Sequence, residues 1–432
     1  MQALNALKSR LLDLAIRGML VPQMDSEAEV EQIGVAPKES PFEIPKKWKW
    51  VTIESLIRKS YGGGTPSRMN PDFWNGDIPW ASVKDLSGDF LSRTKESITQ
   101  EGAENSSTNI VPANNVIMCS RIALGKIVIN KIEVAINQDL KVLELDEPSV
   151  TKEFFITFYK TINFAEISSG TTVKGVDFKK FKNLSFPLPP LEEQKRIVEK
   201  LESLFAKIDI IQKSMDEVSQ LSESLKNQLL QSTFRGNLVP QIDEEPEVEQ
   251  IGDTSEEVPF GIPKKWKWVQ IKNIVKKVPQ KIPDKKFEYL DVSGIDAERL
   301  SVANTKSLEQ SEAPSRARKI LTPGTVIYST VRPYLLRACV IGEEFSNKEL
   351  IGSTAFASMR CKEDVLVNKY LLYCLISPYF VSRVMHVQRG ALYPAISEKD
   401  FFSSFIPLPP LAEQKRIVEK LDKLILEIQK LK

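Results

Sequence analysis

The sequence predicts an α+β protein. Two globular domains are joined by a long antiparallel two-helix coiled coil, as a pseudo-two-fold repeat whose second helix is formed from both termini. Three observations predict this. PLPPLEEQKRIVEKL at 187–201 returns as PLPPLAEQKRIVEKL at 407–421, with Glu192 against Ala412 as the one difference. LVPQ at 20–23, VEQIG at 30–34 and IPKKWKWV at 44–51 return at 238–241, 248–252 and 262–269. The two offsets, 220 and 218 residues, define one repeat of about half the chain, too long for a solenoid unit. Finally, residues 51–185 and 269–404 share length and little sequence, so one constant frame holds two unlike inserts.

The elements follow in order. Residues 1–23 carry Leu4, Leu7, Leu11 and Leu14, then Arg17-Gly18, and form the N-terminal part of the second spacer helix. Residues 24–190 hold an acidic connector and the first domain. The long spacer helix covers 191–236. Pro189 and Pro190 suit its start, and Glu192 and Glu193 favour its first turn through the helix dipole. Its apolar residues Leu201, Phe205, Ile208, Ile211, Met215, Val218, Leu221, Leu225 and Leu229 recur every 3.5 residues, the period of a left-handed coiled-coil seam. Gly236 closes it and Pro240 lies beyond. About 45 residues at roughly 1.5 Å each make a rod on the order of 65 Å. Residues 237–410 repeat the connector and carry the second domain. Residues 411–432, with Ile417, Leu421, Leu424, Ile428 and Leu431, are the C-terminal part of the second helix. By the offsets, the chain stops partway along this helix and resumes it at residue 1. Two separate coiled coils with partners elsewhere are the alternative.

Each insert opens on WKWV, an apolar–polar alternation that suits a half-buried strand, with Trp48 and Trp266 in the core. Strand-like runs follow at 116–118, 126–129, 326–328 and 338–341, and helix-like stretches at 153–160 and 369–376.

Composition narrows the function classes. The 432 residues allow two to four domains, and 42% hydrophobic content supports ordinary cores. No apolar run approaches a membrane span, and residues 1–10 lack a signal-peptide core. Cys119, Cys339, Cys361 and Cys374 have no paired spacing and read as reduced cysteines of a cytoplasmic protein. Net charge is +2, but acidic stretches at 25–31 and 243–249 sit in the connectors, which leaves the inserts more basic. No GxxxxGK[ST] loop, amino-methyltransferase signature or dinucleotide fingerprint is present. The lone histidine, His386, sits in VMHVQRG without a nucleophile signature and reads as structural; no metal site is expected.

Several insert loops suit a polyanion. Gly62-Gly63-Gly64-Thr65-Pro66-Ser67-Arg68 offers close backbone approach, hydroxyls and a cation. Ser120-Arg121 and Gly125-Lys126 flank a turn. Residues 168–174 form a hydroxyl-rich loop with Thr171, Thr172 and Lys174, and its counterpart runs from 388 to 393 with Arg389 and Tyr393. Thr330-Val331-Arg332 and Arg337 face the equivalent of the Ser120 turn, and Arg316, Arg318 and Lys319 form a further basic cluster. Arginine is the favoured reader because its fork matches guanine.

The doubled PLPP-x-x-EQ motif after an SGTT loop, the RG-x-LVPQ helix ends, the IPKKWKW starts and GGGTPS…IPWASVKDL at 62–86, which includes Lys84, together resemble the specificity subunit of type I restriction-modification systems. The resemblance spans essentially the whole chain. It implies two target-recognition domains, each reading half of a split sequence in double-stranded DNA, with the spacer setting the gap. It implies two modification subunits that bind S-adenosylmethionine and methylate adenine, and restriction subunits that use ATP and magnesium where they join. No cofactor is expected in this chain. The helix starts map onto the family's frame, so Glu193, Gln194, Arg196, Glu413, Gln414 and Arg416 are expected on the partner-facing surface. Residues 278–286 replace GGGTPS in the second domain, so its entry loop differs. A non-catalytic coiled-coil scaffold joining protein partners is the second reading, and a methyltransferase with a hidden site the third.

Overall fold

A computed structural model of the chain describes residues 2–170, 174–253, 259–389 and 394–431. It divides into two units, Met1–Ser214 and Met215–Lys432, with the boundary inside one continuous helix, Leu191–Thr233.

In the first unit, the Lys49–Thr52 strand pairs antiparallel with Ser185–Leu188, so the insert is entered and left through one paired stem. Between these strands lie two sheets. One has the order Ile57–Gly62, Leu140–Leu145, Val116–Cys119, Ile127–Asn130, Phe90–Leu91. The other has the order Glu96–Ile98, Trp74–Ala81, Val134–Ile136, Asn109–Val111. Val116–Cys119, Ile127–Asn130 and Val134–Ile136 are buried at every position; their apolar residues favour this, and the buried Asn130 amide bonds the Pro112 and Ile132 carbonyls.

The second unit repeats this plan with different residues. Lys267–Gln270 pairs with Phe405–Leu408. One sheet runs Val275–Lys277, Phe356–Cys361, Val326–Ser329, Ala338–Val340, and the other Lys306–Leu308, Phe287–Leu290, Leu350–Ser353, Ala317–Leu321. Each second sheet holds one parallel pair, Trp74–Ala81 with Val134–Ile136 and Phe287–Leu290 with Leu350–Ser353. Apart from the extra Phe90–Leu91 edge strand of the first, the two inserts therefore share one sheet order with little common sequence. The expected helices at 153–160 and 369–376 are found at Lys152–Tyr159 and Asn368–Leu375.

The cores join stems, inserts and long helices. In the first unit Trp48, Phe154, Phe155 and Phe186 cluster with Ala15, Ile16, Ile197 and Leu201. In the second, Trp266, Tyr370, Phe380 and Phe401 cluster with Leu230, Phe234, Ile417 and Leu421. Burying each such side chain contributes about 1.5–3 kcal/mol. Trp48 and Trp266 are core residues, as expected, each 2% exposed.

Helix ends are shorter than the sequence suggested. The N-terminal helix is Gln2–Ile16, followed by Gly18 at φ +69°; the central helix stops at Thr233, followed by Gly236 at φ +80°. A side chain at Gly18 would run into Pro45 and one at Gly236 into Pro263, so both turns demand glycine. Within the first unit the N-terminal helix runs antiparallel to the start of the central one: Lys8 pairs with Asp209 at 2.6 Å, while Gln23, beyond the helix, meets Glu193.

The expected seam needs correction past Ile208. Leu201 and Ile208 are buried, but Ile211, Met215, Val218, Leu221 and Leu225 are exposed. Gln212 is half-buried, residues 213–221 are exposed, and burial resumes at Ser222, Leu230 and Thr233. Ile211 and Val218 lie off the 4-3 spacing set by Leu201, Phe205 and Ile208, but Met215 keeps it and is exposed as well, so period alone does not decide burial here. No helix is long and apolar enough to cross a membrane, among the described residues.

Candidate nucleic-acid interface

At each helix start a buried polar knot replaces the expected partner surface. Glu193 and Gln194 are fully buried, as are Glu413 and Gln414. Trp48 Nε1 donates to Glu193 at 2.9 Å, and Trp266 Nε1 donates to Glu413 at 2.9 Å. Gln23 and Gln241 donate to the other carboxylate oxygens. Gln194 accepts from Thr151 N and donates to the Ser149 and Pro189 carbonyls; Gln414 accepts from Val367 N and donates to those of Val365 and Pro409. Burial raises the carboxyls of Glu193 and Glu413 above their ordinary range, and the indole donors oppose that rise. Arg196 forks onto Glu27 at 2.7 and 2.8 Å, and Arg416 pairs with Glu245. Glu193, Glu413, Arg196 and Arg416 thus tie connector and stem to the helix, Gln194 and Gln414 tie the insert to it, and of the six only the two arginines keep part of their surface exposed; Glu27 and Glu245 are not simply solvated acids of the connectors.

The insert loops tell a different story. In the first unit the Val116–Cys119 and Ile127–Asn130 strands form a hairpin whose tip is 120–126. Ser120 donates from both N and Oγ to the Asp139 carbonyl, at 2.8 and 3.0 Å. Arg121 pairs with the Asp139 carboxylate at 2.9 Å. The 174–176 segment crosses the tip: Val176 N donates to Ser120 O at 2.9 Å and Ile122 N to Lys174 O at 3.2 Å. Thr65 donates to Gln138, next to Asp139. Sequence-predicted Thr65, Ser120, Arg121, Lys126 and Lys174 therefore gather around one hairpin tip.

The second unit builds the same knot on Thr330. Thr330 donates from N and Oγ1 to the Ala355 carbonyl, at 2.8 and 2.9 Å. Ile396 N donates to Thr330 O at 2.9 Å, and Arg332 N to Pro394 O at 2.8 Å. Bond for bond, Ser120 corresponds to Thr330, Val176 to Ile396 and Ile122 to Arg332. Arg389 joins through its paired backbone bonds with Ala395. Ile122 and Arg332 both sit at positive φ, +70° and +47°. A β-branched residue there is strained by about 1–3 kcal/mol. Around Ile122 the Ala123 N–H closes onto Arg121 O at 2.9 Å, the rare left-handed γ-turn.

Several predicted readers are committed to the fold, while Lys84, Lys126 and Arg316 stay exposed. Gly64 is buried: its N–H donates to Ile136 O, its carbonyl accepts from Trp80 Nε1, and a Cβ would strike Ser107. Its smallness therefore serves packing rather than phosphate. Arg68 forks onto Glu96 at 2.5 and 2.9 Å and lies 3.5 Å over the Trp74 ring, and Ser67 O accepts from Trp74 Nε1. Lys84 is exposed, and its charge adds to the Arg68 hydrogen bond that holds Glu96 below its usual range. Lys126 donates to Val83 O at 3.2 Å. Lys319 is buried against Glu398 at 2.6 Å, so it is a core ion pair. Arg337 donates to the Val292 and Ile295 carbonyls. Arg318 bonds the Ala317 carbonyl, while exposed Arg316 lies 3.8 Å from Asp291. Thr171, Thr172 and Tyr393 lie outside the described residues.

Sequence reasoning missed Ile122, Gln138 and Asp139. An isoleucine in a turn carries no local signal, and its exposure, 64%, appears only once the hairpin is built. Cys119 and Cys339 are buried, which pushes their thiols up to about 11 and about 12, so neither offers a thiolate near neutrality. No group of His, Cys, Asp and Glu suited to a metal occurs among the described residues, and exposed His386 ends the Pro378–Val387 helix.

Known proteins share this architecture. A family model described as type I restriction modification DNA specificity domain matches residues 45–220 and 263–432. The MjaIX type I restriction enzyme specificity subunit of Methanocaldococcus jannaschii is 24% identical over 389 residues, 85% of this chain and 84% of that protein. The EcoR124I/EcoR124II specificity subunit of Escherichia coli is 34% identical over 177 residues, 39% of this chain and 43% of that protein. Among solved structures, a chain from a study of type I R-M complex assembly and conformational transition aligns at TM-score 0.65 and 20% identity, covering 90% of this chain and 93% of that one. The HsdS subunit of Thermoanaerobacter tengcongensis aligns at TM-score 0.53 and 19% identity, covering 91% and 93%. At these identities the two structures bear on the fold alone.

Proposed function

The chain belongs to the type I restriction-modification DNA specificity family, and from that premise we propose that its two units each read one half of a bipartite DNA target. The observation that carries this reading is the pair of hairpin-tip knots. The same backbone bonds recur at Ser120 and Thr330, on the same sheet topology, while the outward side chains differ. A constant scaffold with changed tips is what two different recognition surfaces require, since loops on a rigid frame carry recognition.

The Leu191–Thr233 helix, continuous from one unit into the other, acts as the spacer that sets the unread gap. Its 43 residues correspond to a rod of about 65 Å. The frame recruits two modification subunits, one per repeat, because the framework sequence is doubled almost without change. S-adenosylmethionine, and ATP and magnesium where restriction subunits join, belong to those partners, and catalysis lies with them.

The test is to replace residues 51–185 with the insert of another such subunit and sequence the methylome of cells expressing it with its modification subunit. One half-site is expected to change while the other half and the gap stay. An unchanged recognition sequence overturns the reading. The scaffold alternative predicts binding that is equally tight on every duplex, with or without a target.

A further inference from the structure

We propose that the left-handed tip position, Ile122 in the first unit and Arg332 in the second, is the base-reading position of each domain. This rests on the DNA-reading function above. Four observations converge. The two residues are equivalent by hydrogen bonding: Ile122 N meets Lys174 O and Arg332 N meets Pro394 O, beside the equivalent Ser120–Val176 and Thr330–Ile396 bonds. Both are non-glycine residues at positive φ, +70° in a γ-turn at Ile122 and +47° in the left-handed helical region at Arg332, where glycine would be relaxed. Both are exposed, Ile122 at 64%. And the tip is held on both sides, by the strand hairpin and by the crossing segment, so the strain is imposed by the surrounding structure.

A residue kept in a costly conformation, with its side chain outward, is explained by what it must present. The two side chains differ in the way two base readers differ. Isoleucine offers only apolar contact, which suits the thymine methyl group in the major groove. Arginine offers a fork that matches guanine O6 and N7. Arg121, beside Ile122, is ion-paired to Asp139, and supplies charge at the edge of the tip. In the second unit Tyr334 and Leu335, 44% and 42% exposed, flank Arg332 and extend the contact surface. The proposal therefore assigns a T·A pair opposite Ile122 in one half-site and a G·C pair opposite Arg332 in the other.

The experiment uses the full chain assembled with its modification subunits. Methylome sequencing first returns the wild-type target, and the variants Ile122→Gly and Arg332→Asn are then compared with it. Glycine tolerates the γ-turn at 122 and asparagine the left-handed backbone at 332, so both variants keep the turn and are expected to melt no lower than wild type. Ile122→Gly is expected to relax one T·A position in one half-site. Arg332→Asn is expected to relax one G·C position in the other, and to weaken binding to the wild-type duplex roughly ten- to hundred-fold. Val35→Asn, at an 83% exposed connector residue, is the control and leaves the target unchanged. Wild-type methylation patterns and unchanged affinity for both tip variants overturn the assignment and leave the half-site reading standing. A wild-type complex that shows no bipartite target overturns that reading and the assignment with it.

Discussion

Trp48 donates its indole N–H to the buried Glu193 carboxylate at 2.9 Å, and Trp266 repeats the bond to Glu413 at 2.9 Å. The first residue opens an insert and the second begins the helix that leaves it. One hydrogen bond therefore ties domain entry to helix start in each unit. Substituting the donor leaves a buried carboxylate oxygen without its partner. Trp48→Phe and Trp266→Phe are each expected to cost about 1–3 kcal/mol, and about equally, in urea unfolding followed by the signal of the affected unit. A negligible change in either would show that the knot contributes little to holding the stem.

The same knots predict a pH dependence. Burial raises the folded-state carboxyls of Glu193 and Glu413 above their ordinary value of 4.5. The folded chain therefore binds these protons more tightly than the unfolded chain. The resulting stability is fully present below the unfolded value and is lost as pH rises through the raised folded one. Between pH 4.5 and neutrality the melting temperature of the Glu193→Gln/Glu413→Gln double variant should fall less than that of wild type. Parallel curves would remove these two groups as the source.

Arg121 and Arg68 should behave oppositely although the sequence ranks them alike. Arg121 is half-exposed at the hairpin tip, so Arg121→Ala is expected to weaken binding at one half-site and lower the salt dependence of affinity by about one phosphate's worth. Arg68 is as exposed as Arg121, but both arms of its guanidinium are held by Glu96 and its face by Trp74, so Arg68→Ala is expected to cost about 1 kcal/mol of stability and leave the methylated sequence intact. Methylomes and melting curves of the two variants, side by side, check both. A changed target in Arg68→Ala, or an unchanged salt slope in Arg121→Ala, would reverse the assignment.

The spacer reading is open to a length test. Inserting four residues after Ile211 adds about one helical turn, roughly 6 Å, to the central helix. The unread gap should then lengthen by about one to two base pairs while both half-sites persist. An unaltered gap in the methylome would separate the helix from any measuring role.

What the sequence by itself determined is what short-range chemistry writes. The doubled PLPP-x-x-EQKRIVEKL, the 3.5-residue spacing and the paired Arg-Gly helix ends named the long helices, the two-repeat frame and the core tryptophans. These follow from period, capping and burial, all local to a few turns. Tertiary structure decided which polar residues face out. Glu193 reads as a first-turn surface acid until Trp48, 145 residues earlier, closes over it. Ile211 and Val218 read as seam residues, and only the packed structure shows them exposed while Ser222 is buried. The hairpin tips are the extreme case. Ser120 is held by Asp139 and Val176, and Thr330 by Ala355 and Ile396, mostly through backbone groups that every residue carries. Backbone bonds between distant segments leave almost no trace in side-chain sequence, which is why two inserts with little in common build the same knot.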